Sequence, residues 1–267
     1  MIRAARRYAP FALAGLHAVT QYRSTIVLSA ITAAAATALQ VFLWREVYVG
    51  GSAPAGLPFV HLTSYIVLAQ ILGLLHTNRI DELIAGEVYR GDIAVSLVRP
   101  VNYALSCLAV NLPTAAVSAV LAGVPVLAGF SLFASLPVPT AANLALFAVA
   151  VLLSVALAFQ INFLVGLAAF VTTNTWGIRT IKNALVAFLA GQVIPLALFP
   201  ADVVTLLRLL PFQGLIDSPL RLLLGGYGDW ADAGRILAVQ AGWVVLLTGV
   251  MSLAWRRSLR KVEVLGG

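Results

Sequence analysis

Long apolar runs dominate this sequence and decide what it can fold into. Six runs, at 25–44, 58–78, 103–130, 143–172, 183–200 and 236–255, are continuously apolar rather than alternating. A helix of about 20 mostly apolar residues crosses the roughly 30 Å hydrocarbon core of a bilayer. Since 61% of the chain is hydrophobic, the pattern predicts an all-α integral membrane protein with six transmembrane helices, forming one membrane domain over residues 1–267.

Basic residues lie mainly on one side of the predicted spans. All but four of the 17 Lys and Arg residues flank that side, and the four exceptions are Arg45, Arg208, Arg221 and Arg235. Because Lys and Arg accumulate in cytoplasmic loops, we expect a multi-pass protein of the cell membrane with both termini in the cytoplasm. The scattering of these charges over span ends argues against nucleic acid as a partner.

The segment before the first predicted span, residues 1–24, begins with a basic cluster. Arg3, Arg6 and Arg7 fall on one face at helical spacing. A cleaved signal peptide is a poorer interpretation, because Pro10 and Gly15 interrupt the short apolar stretch and a full span follows directly. The segment therefore predicts an uncleaved amphipathic helix that lies along the cytoplasmic face of the membrane.

Residues 79–99, between the second and third predicted spans, form a charged cytoplasmic loop. Its first part places apolar residues on one face at helical spacing and predicts an amphipathic helix that ends at Gly91, with apolar positions Ile80, Leu83, Ile84 and Val88. The following 92–97 alternates and predicts a short extended or turning segment. Physical chemistry alone leaves two roles open, a helix resting on the bilayer or a docking element for a cytoplasmic partner.

A second region outside the long runs, residues 201–226, holds two apolar pieces at 203–210 and 219–224. Both are far shorter than the roughly 18 residues that a span needs. Pro211 ends the first piece, and Asp217 or Ser218 before Pro219 caps the second. The pattern predicts a pair of re-entrant helices on the extracellular side, with an amphipathic outer loop as the alternative.

A few amide side chains fall inside the predicted spans. Such groups usually bond to a neighbouring helix, and some line a transport path instead. Gln160, Asn162 and Gln192 are the candidates for the path. Gln160 and Asn162 are two residues apart, so they cannot both serve one helix contact.

Four stretches of the sequence together resemble one protein family. They are GEVYRGDIAVSLVRPVNY (86–103), GQVIPLALFP (191–200), LPFQGLIDSPLRLLLGG (210–226) and RRSLRKVEVLGG (256–267). In this order they are similar to the type-2 ABC export permeases, in particular a six-span subfamily formerly called a domain of unknown function. The resemblance covers essentially the whole chain.

That resemblance implies the membrane half of an ATP-driven exporter. It implies that residues 81–99 hold a coupling helix, which enters a groove on a separate ABC ATPase subunit through Asp81, Glu82, Glu87, Arg90, Asp92 and Arg99. It further implies a dimer, with a second identical or related permease subunit and two ATPase subunits. The cargo stays open among drug, peptide, lipid and polysaccharide.

The chain itself carries no sequence signature for ATP hydrolysis. A phosphate-binding loop of the form G-x-x-x-x-G-K-[ST] needs a Gly-Lys pair, and the sequence contains none. We therefore expect ATP and Mg²⁺ on the partner ATPase, and no cofactor, metal site or enzymatic activity in this chain. An ion-coupled carrier and a substrate-binding membrane module remain alternatives, although no Asp or Glu lies inside a predicted span.

Overall fold

A computed structural model describes residues 2–21, 23–50, 57–76, 79–131 and 137–265. Thr77 and Asn78, the last residues of the second predicted span, and the side chains of Arg3 and Arg6 lie outside the described residues. The α-helices in the described part are α1 Ile2–Gln21, α2 Arg23–Val49, α3 Phe59–His76, α4 Ile80–Arg90, α5 Ile93–Val98, α6 Tyr103–Ser131, α7 Ala141–Gly166, α8 Trp176–Leu189, α9 Ala201–Leu207, α10 Asp217–Leu223 and α11 Trp230–Leu265. Short 3-10 turns occupy Leu167–Phe170, Leu196–Leu198 and Pro211–Gly214.

Five helical stretches of the described chain are long and apolar enough to cross a membrane. They are Ile26–Val49, Phe59–Arg90 apart from its undescribed residues 77 and 78, Tyr103–Ser131, Ala141–Phe170 and Trp230–Arg260. Each contains one of the apolar runs that the sequence suggested as a span, apart from end residues. The predicted class, an all-helical multi-pass membrane protein, is therefore confirmed for the described residues.

The fifth predicted span, residues 183–200, is not a continuous helix, so that prediction was wrong. Helix α8 begins earlier, at Trp176, and ends at Leu189. Gly191 then adopts a left-handed backbone conformation with φ of 85°, which favours glycine. Pro195 follows, and its missing N–H prevents the helix from resuming directly. At about 1.5 Å per residue, the 14 residues of α8 cover about 21 Å, less than the hydrocarbon thickness.

Helices α7 and α11 run in the same direction along the bundle. Near their starts, Ala150 packs with Ile236, and near their ends Phe163 packs with Trp255. The chain between them must therefore return from one end of the bundle to the other, through α8 and the broken segment that follows it. We call the end at Trp255 the inner end and the opposite end the outer end.

The region 201–226 contains the two short helices that the sequence suggested, as α9 and α10. The second is packed into the bundle rather than lying on its surface, because residues 213–220 are buried. Leu215, Ile216 and Leu220 contact Tyr65 of α3 and Leu157 of α7 in one apolar core. The re-entrant geometry and the extracellular side remain predictions.

Helix α1 packs lengthwise along the first half of α6. The Tyr8 hydroxyl accepts a hydrogen bond from the Asn102 amide at 3.1 Å, and further along Thr114 donates to the Gly15 carbonyl at 2.9 Å. The two helices are so close that a Cβ on Gly15 would lie 2.0 Å from the Val110 carbonyl oxygen. Since α1 follows α6 rather than crossing it, the flat orientation expected at the membrane surface is not confirmed.

The loop between α3 and α6 is helical throughout most of its length. Helix α4 covers Ile80–Arg90 and ends at Gly91 with φ of 78°, as the sequence suggested. The expectation of a short extended or turning segment at 92–97 was wrong, because helix α5 forms there. Ile93 and Leu97 both pack into the apolar core at the inner end, which includes Phe159 and Phe163. Their four-residue spacing matches a helix, whereas alternation alone had indicated an extended or turning segment.

Candidate functional site

Helix α4 is held against the inner end of α7 by its apolar face. Ile80 and Ile84 are buried against Phe163 and Leu167 in the inner core. The contact is close at Gly166, where a Cβ would lie 3.0 Å from Ile84 side-chain atoms. This apolar face is therefore covered within the subunit. It is not available to contact the bilayer or a partner protein.

A buried carboxylate joins α4 to two other helices. Asp81 is only 4% exposed, and its Oδ2 accepts a hydrogen bond from Lys182 Nζ of α8 at 3.0 Å. Lys182 also donates to Asn162 Oδ1 of α7 in a short hydrogen bond. Charges leave water at a large cost unless they are paired and hydrogen-bonded. The three side chains therefore form a polar link between α4, α7 and α8.

Two further side chains extend this link toward the surface. Arg179 of α8 lies 3.6 Å from Asp81 Oδ2 and 3.4 Å from Glu82 Oε2. Glu82 also pairs with Arg79 at 2.7 Å, and the side chains of Arg79 and Glu82 are 70% and 40% exposed. We call the set Asp81, Glu82, Asn162, Arg179 and Lys182 the inner ion cluster. It binds α4 to α8 across about 100 residues of sequence.

The six side chains suggested as ATPase contacts divide into two groups. Asp81 and Glu82 belong to the inner ion cluster, and Glu87 accepts a hydrogen bond from the Tyr103 hydroxyl at 2.8 Å. In contrast, Arg90, Asp92 and Arg99 are exposed. Arg90 and Asp92 form a surface ion pair at 2.8 Å, in which their side chains are 67% and 56% exposed. The ATPase contact role of all six remains a prediction.

Exposed apolar side chains lie beside the second group. Val95 is 64% exposed and Val98 is 85% exposed, on a helix that Ile93 anchors in the core. Tyr89 is also exposed, and its hydroxyl bonds to the Thr172 carbonyl. We call the outward-facing set Tyr89, Arg90, Asp92, Val95, Val98 and Arg99 the inner strip. It combines apolar area with charges of both signs, which suits a protein partner.

The three amides suggested for a transport path have different surroundings. Gln160 is buried and donates to the Val244 carbonyl and the Thr248 hydroxyl of α11, at 3.0 and 2.8 Å. Asn162 bonds to Lys182 in the inner ion cluster. Gln192 lines a cavity of about 380 Å³ together with His76 and the charged side chains of the inner ion cluster. The path role of all three remains a prediction, and of the three described side chains Gln192 is the one that lines this cavity.

A second group of charges lies toward the outer end, around α10. Asp217 is 1% exposed, and its Oδ2 lies 3.5 Å from Arg208 Nε without a hydrogen bond. Arg221 lies 3.5 Å from Asp232, which also pairs with Arg235 at 2.7 Å. Burial raises the pKa of the Asp217 carboxyl above its ordinary value, although Arg208 and Arg221 lower it. We call Arg208, Asp217, Arg221, Asp232 and Arg235 the outer ion cluster.

Sequence reasoning missed the partner of Asp81. Lys182 stood out only as a charge at the start of a predicted span, and Arg179 only as one of many cytoplasmic charges. The sequence did contain a signal for this pairing. Acidic residues follow the second predicted span, and basic residues precede the fifth on the same side of the membrane. A pairing between positions 81 and 182 follows only once α8 lies beside α4.

Within the described residues, the long apolar helices define a multi-pass helical membrane protein, and the charged helices α4 and α5 lie at its inner end. The model of the family described as ABC-2 family transporter protein matches residues 24–266. The chain therefore belongs to the ABC-2 transporter family and is a membrane component of an ABC transporter, in agreement with the resemblance of its sequence motifs. No curated protein shows a significant match to it.

Proposed function

We propose that this chain is the permease subunit of an ATP-driven exporter and receives its driving force from a separate ATPase at the inner strip. The proposal rests on one observation: the same helical loop has an exposed surface on one side and a bonded, buried contact on the other. The inner strip faces outward on α4 and α5, while Asp81 on the buried side of α4 is bonded to Lys182 of α8 at 3.0 Å. One side of the loop is free for a partner, and the other is attached to the bundle.

The attachment explains how a push on the inner strip would reach the spans. Ile80 and Ile84 fix α4 to α7, and the inner ion cluster fixes it to α8. A buried ion pair with good geometry resists separation, because either charge alone in the interior is unfavourable. A displacement of the loop therefore moves the inner ends of α7 and α8 together with α4.

The cavity beside the inner ion cluster is the proposed inner entrance to the path. It is lined by Gln192 on one side and by Lys182, Arg179 and His76 on others. Because these side chains include the attachment between α4 and α8, a movement of the loop changes the cavity as well. ATP and Mg²⁺ bind the partner ATPase in this proposal, and this chain supplies the path and the coupling surface.

An apolar face on α8 supports a second permease subunit as the dimer partner. No residue of α8 is buried within the single chain. Ile178, Ile181, Leu185 and Phe188 recur at helical spacing and are 42%, 63%, 48% and 43% exposed. A homodimer or a heterodimer that packs there would bring the two cavities to a common axis.

The test compares two exposed valines at opposite ends of the molecule. Val98 lies in the inner strip and is 85% exposed, whereas Val138 lies in the loop before α7 and is 93% exposed. We expect Val98→Asp, in the full chain coexpressed with its ATPase, to reduce ATPase co-purification and nucleotide-dependent transport at least tenfold. We expect Val138→Asp to leave both unchanged, with equal thermal unfolding midpoints for the two variants.

Three results would contradict the proposal. Equal ATPase binding by both variants would show that the inner strip is not the docking surface. Transport driven by a proton or sodium gradient in vesicles without nucleotide would support the ion-coupled carrier instead. Binding of cargo without any transport would support a substrate-binding membrane module.

A further inference from the structure

An apolar groove runs between α2, α3 and α6 on the surface of the bundle. It encloses about 620 Å³, and its walls include Ala34, Val41, Phe42, Phe59 and Phe130. Two hydroxyls also border it, yet Thr37 and Thr63 each donate to a carbonyl of their own helix. These hydroxyl protons are therefore already used, and the groove favours an apolar occupant.

The groove has the length of one half of a bilayer. From Ala34 to Arg45, α2 rises about 16 Å at 1.5 Å per residue, close to half of the roughly 30 Å hydrocarbon core. Near the Arg45 end, the Tyr48 hydroxyl donates to the Leu57 carbonyl at 2.7 Å, and the Tyr48 ring lies 5.2 Å from that of Phe59. Tyr residues concentrate at the level of lipid headgroups, so this end of the groove lies at the membrane surface.

One charged side chain borders the groove, and it lies at that end. Arg45 is exposed, and within the part of the chain that the structure describes it forms no ion pair. The adjacent carboxylate, Glu46, is about 100° away around the helix and does not line the groove. A guanidinium offers paired N–H groups that match a phosphate.

We propose that this groove binds an acyl chain of an anionic phospholipid, whose phosphate pairs with Arg45. The acyl chain would lie along α2 from Arg45 to Ala34 and fill the space that separates α2 from α6. Only 11% of the residues in the apolar window of α2 are buried inside the subunit, so most of this helix is available to lipid. The site is independent of the inner strip and of the proposed ATPase.

The experiment uses the purified full chain in mixed micelles that contain phosphatidylglycerol and phosphatidylcholine in equal amounts. Native mass spectrometry counts the lipids that remain bound to each chain. We expect about one retained phosphatidylglycerol, preferred about tenfold over phosphatidylcholine, because the choline cation of phosphatidylcholine offsets the charge of its own phosphate and repels Arg45. Arg45→Gln should abolish the preference, whereas Arg235→Gln, at a largely exposed arginine of the outer ion cluster, should retain it.

Two substitutions fill the groove from opposite walls. Ala38→Phe acts from α2, and Gly129→Leu acts from α6, where a Cβ would have no neighbour within 4 Å. Both should remove the retained lipid of either headgroup. The matched control is Ala35→Phe, since Ala35 is exposed on the same helix but does not line the groove. Unchanged thermal unfolding midpoints would show that the variants are folded.

Three results would overturn the proposal. One is equal retention of the two lipids by the unmodified chain. Another is retention of lipid by both groove-filling variants. The third is conversion of a dimer to a monomer by Ala38→Phe with no change in bound lipid, which would assign the groove to a second copy of the chain.

Discussion

The inner and outer ion clusters each hold a buried aspartate beside arginines, but they connect different parts of the fold. Asp81 bonds to Lys182 at 3.0 Å, and the cluster joins α4, α7 and α8. Asp217 approaches Arg208 only to 3.5 Å without a hydrogen bond, and all the members of its cluster lie between Arg208 and Arg235. The inner cluster therefore joins distant elements tightly, whereas the outer cluster joins consecutive elements loosely.

This difference suggests different mechanical roles. A tight link between distant helices transmits a displacement, because its parts must move together. A loose contact among consecutive elements lets them separate at smaller cost, since the interaction that is lost is weaker. In the proposed exporter, the inner cluster would pass force to the spans, and the outer cluster would yield when the outer end opens.

The largest expected effect is the loss of Asp81. Asp81→Ala leaves the ammonium of Lys182, whose side chain is only 14% exposed, without its carboxylate, so we expect a decrease of about 3–5 kcal/mol in the free energy of unfolding. The double variant Asp81→Asn with Lys182→Met should recover much of that loss, because neither charge remains unpaired. Reversible unfolding in mixed micelles measures both. Equal losses in the single and double variants would show that the pair is not the source of the effect.

Loss of the outer carboxylate should have a smaller effect that depends on pH. Burial raises the pKa of Asp217 from its ordinary 3.8, so the folded state holds this proton more tightly than the unfolded state does. The stability it contributes is present below about pH 3.8 and declines as the pH rises through the folded-state pKa. Asp217→Asn should lack this decline.

The measurement is the unfolding midpoint of the unmodified chain minus that of Asp217→Asn, followed upward from about pH 4. We expect this difference to fall and then level off, and at neutral pH the substitution should cost less than Asp81→Ala. A difference that is constant with pH would contradict the assignment of a raised pKa to Asp217. A larger loss than for Asp81→Ala would reverse the comparison between the clusters.

Two buried glutamines provide a matched pair of substitutions, for which we expect smaller losses of stability. Gln160 bonds α7 to α11, and Gln240 donates to the carbonyls of Ala150 and Gly214 at 2.8 and 2.7 Å. Replacing either by Leu should cost about 0.6–2 kcal/mol. Only Gln240→Leu should speed hydrogen exchange at residues 211–217, because only Gln240 bonds to that segment. Equal exchange in both variants would show that the outer segment is held by other contacts.

The smallest effects should come from the exposed ion pairs. Arg79 pairs with Glu82 in the inner region, and Arg235 pairs with Asp232 in the outer region, each at 2.7 Å and three residues apart. Their arginine side chains are 70% and 78% exposed, so Arg79→Gln and Arg235→Gln should each change stability by about 0.3–0.5 kcal/mol. A much larger loss for either would mean that its pair is part of the buried network.

Much of the fold was predictable, because apolar runs specify spans through a single physical requirement, the burial of side chains in hydrocarbon. The prediction of a continuous span at 183–200 failed for a local reason. The run is apolar throughout, but Gly191 takes a left-handed conformation beside Tyr65, and the helix does not continue past it. Hydropathy indicates that a segment is stable in hydrocarbon. It does not indicate whether the segment forms one continuous helix.

The candidate site was predictable only in part. The spacing of Ile80, Ile84 and Gly91 gave the position and end of α4 correctly, because local periodicity and a helix-ending glycine encode both. Which charges point outward was not encoded locally. Asp81 and Arg90 both looked like polar-face residues, yet contact with Lys182 buries one of them while the other remains in water.

The close contact of α1 with α6 also has a consequence for biosynthesis. The Thr114 hydroxyl, which bonds to Gly15, is made 99 residues later. At about 5–20 residues per second, the ribosome needs about 5–20 s to supply that partner. During this interval the N-terminal helix cannot occupy its final position, so its docking must wait until α6 has entered the membrane.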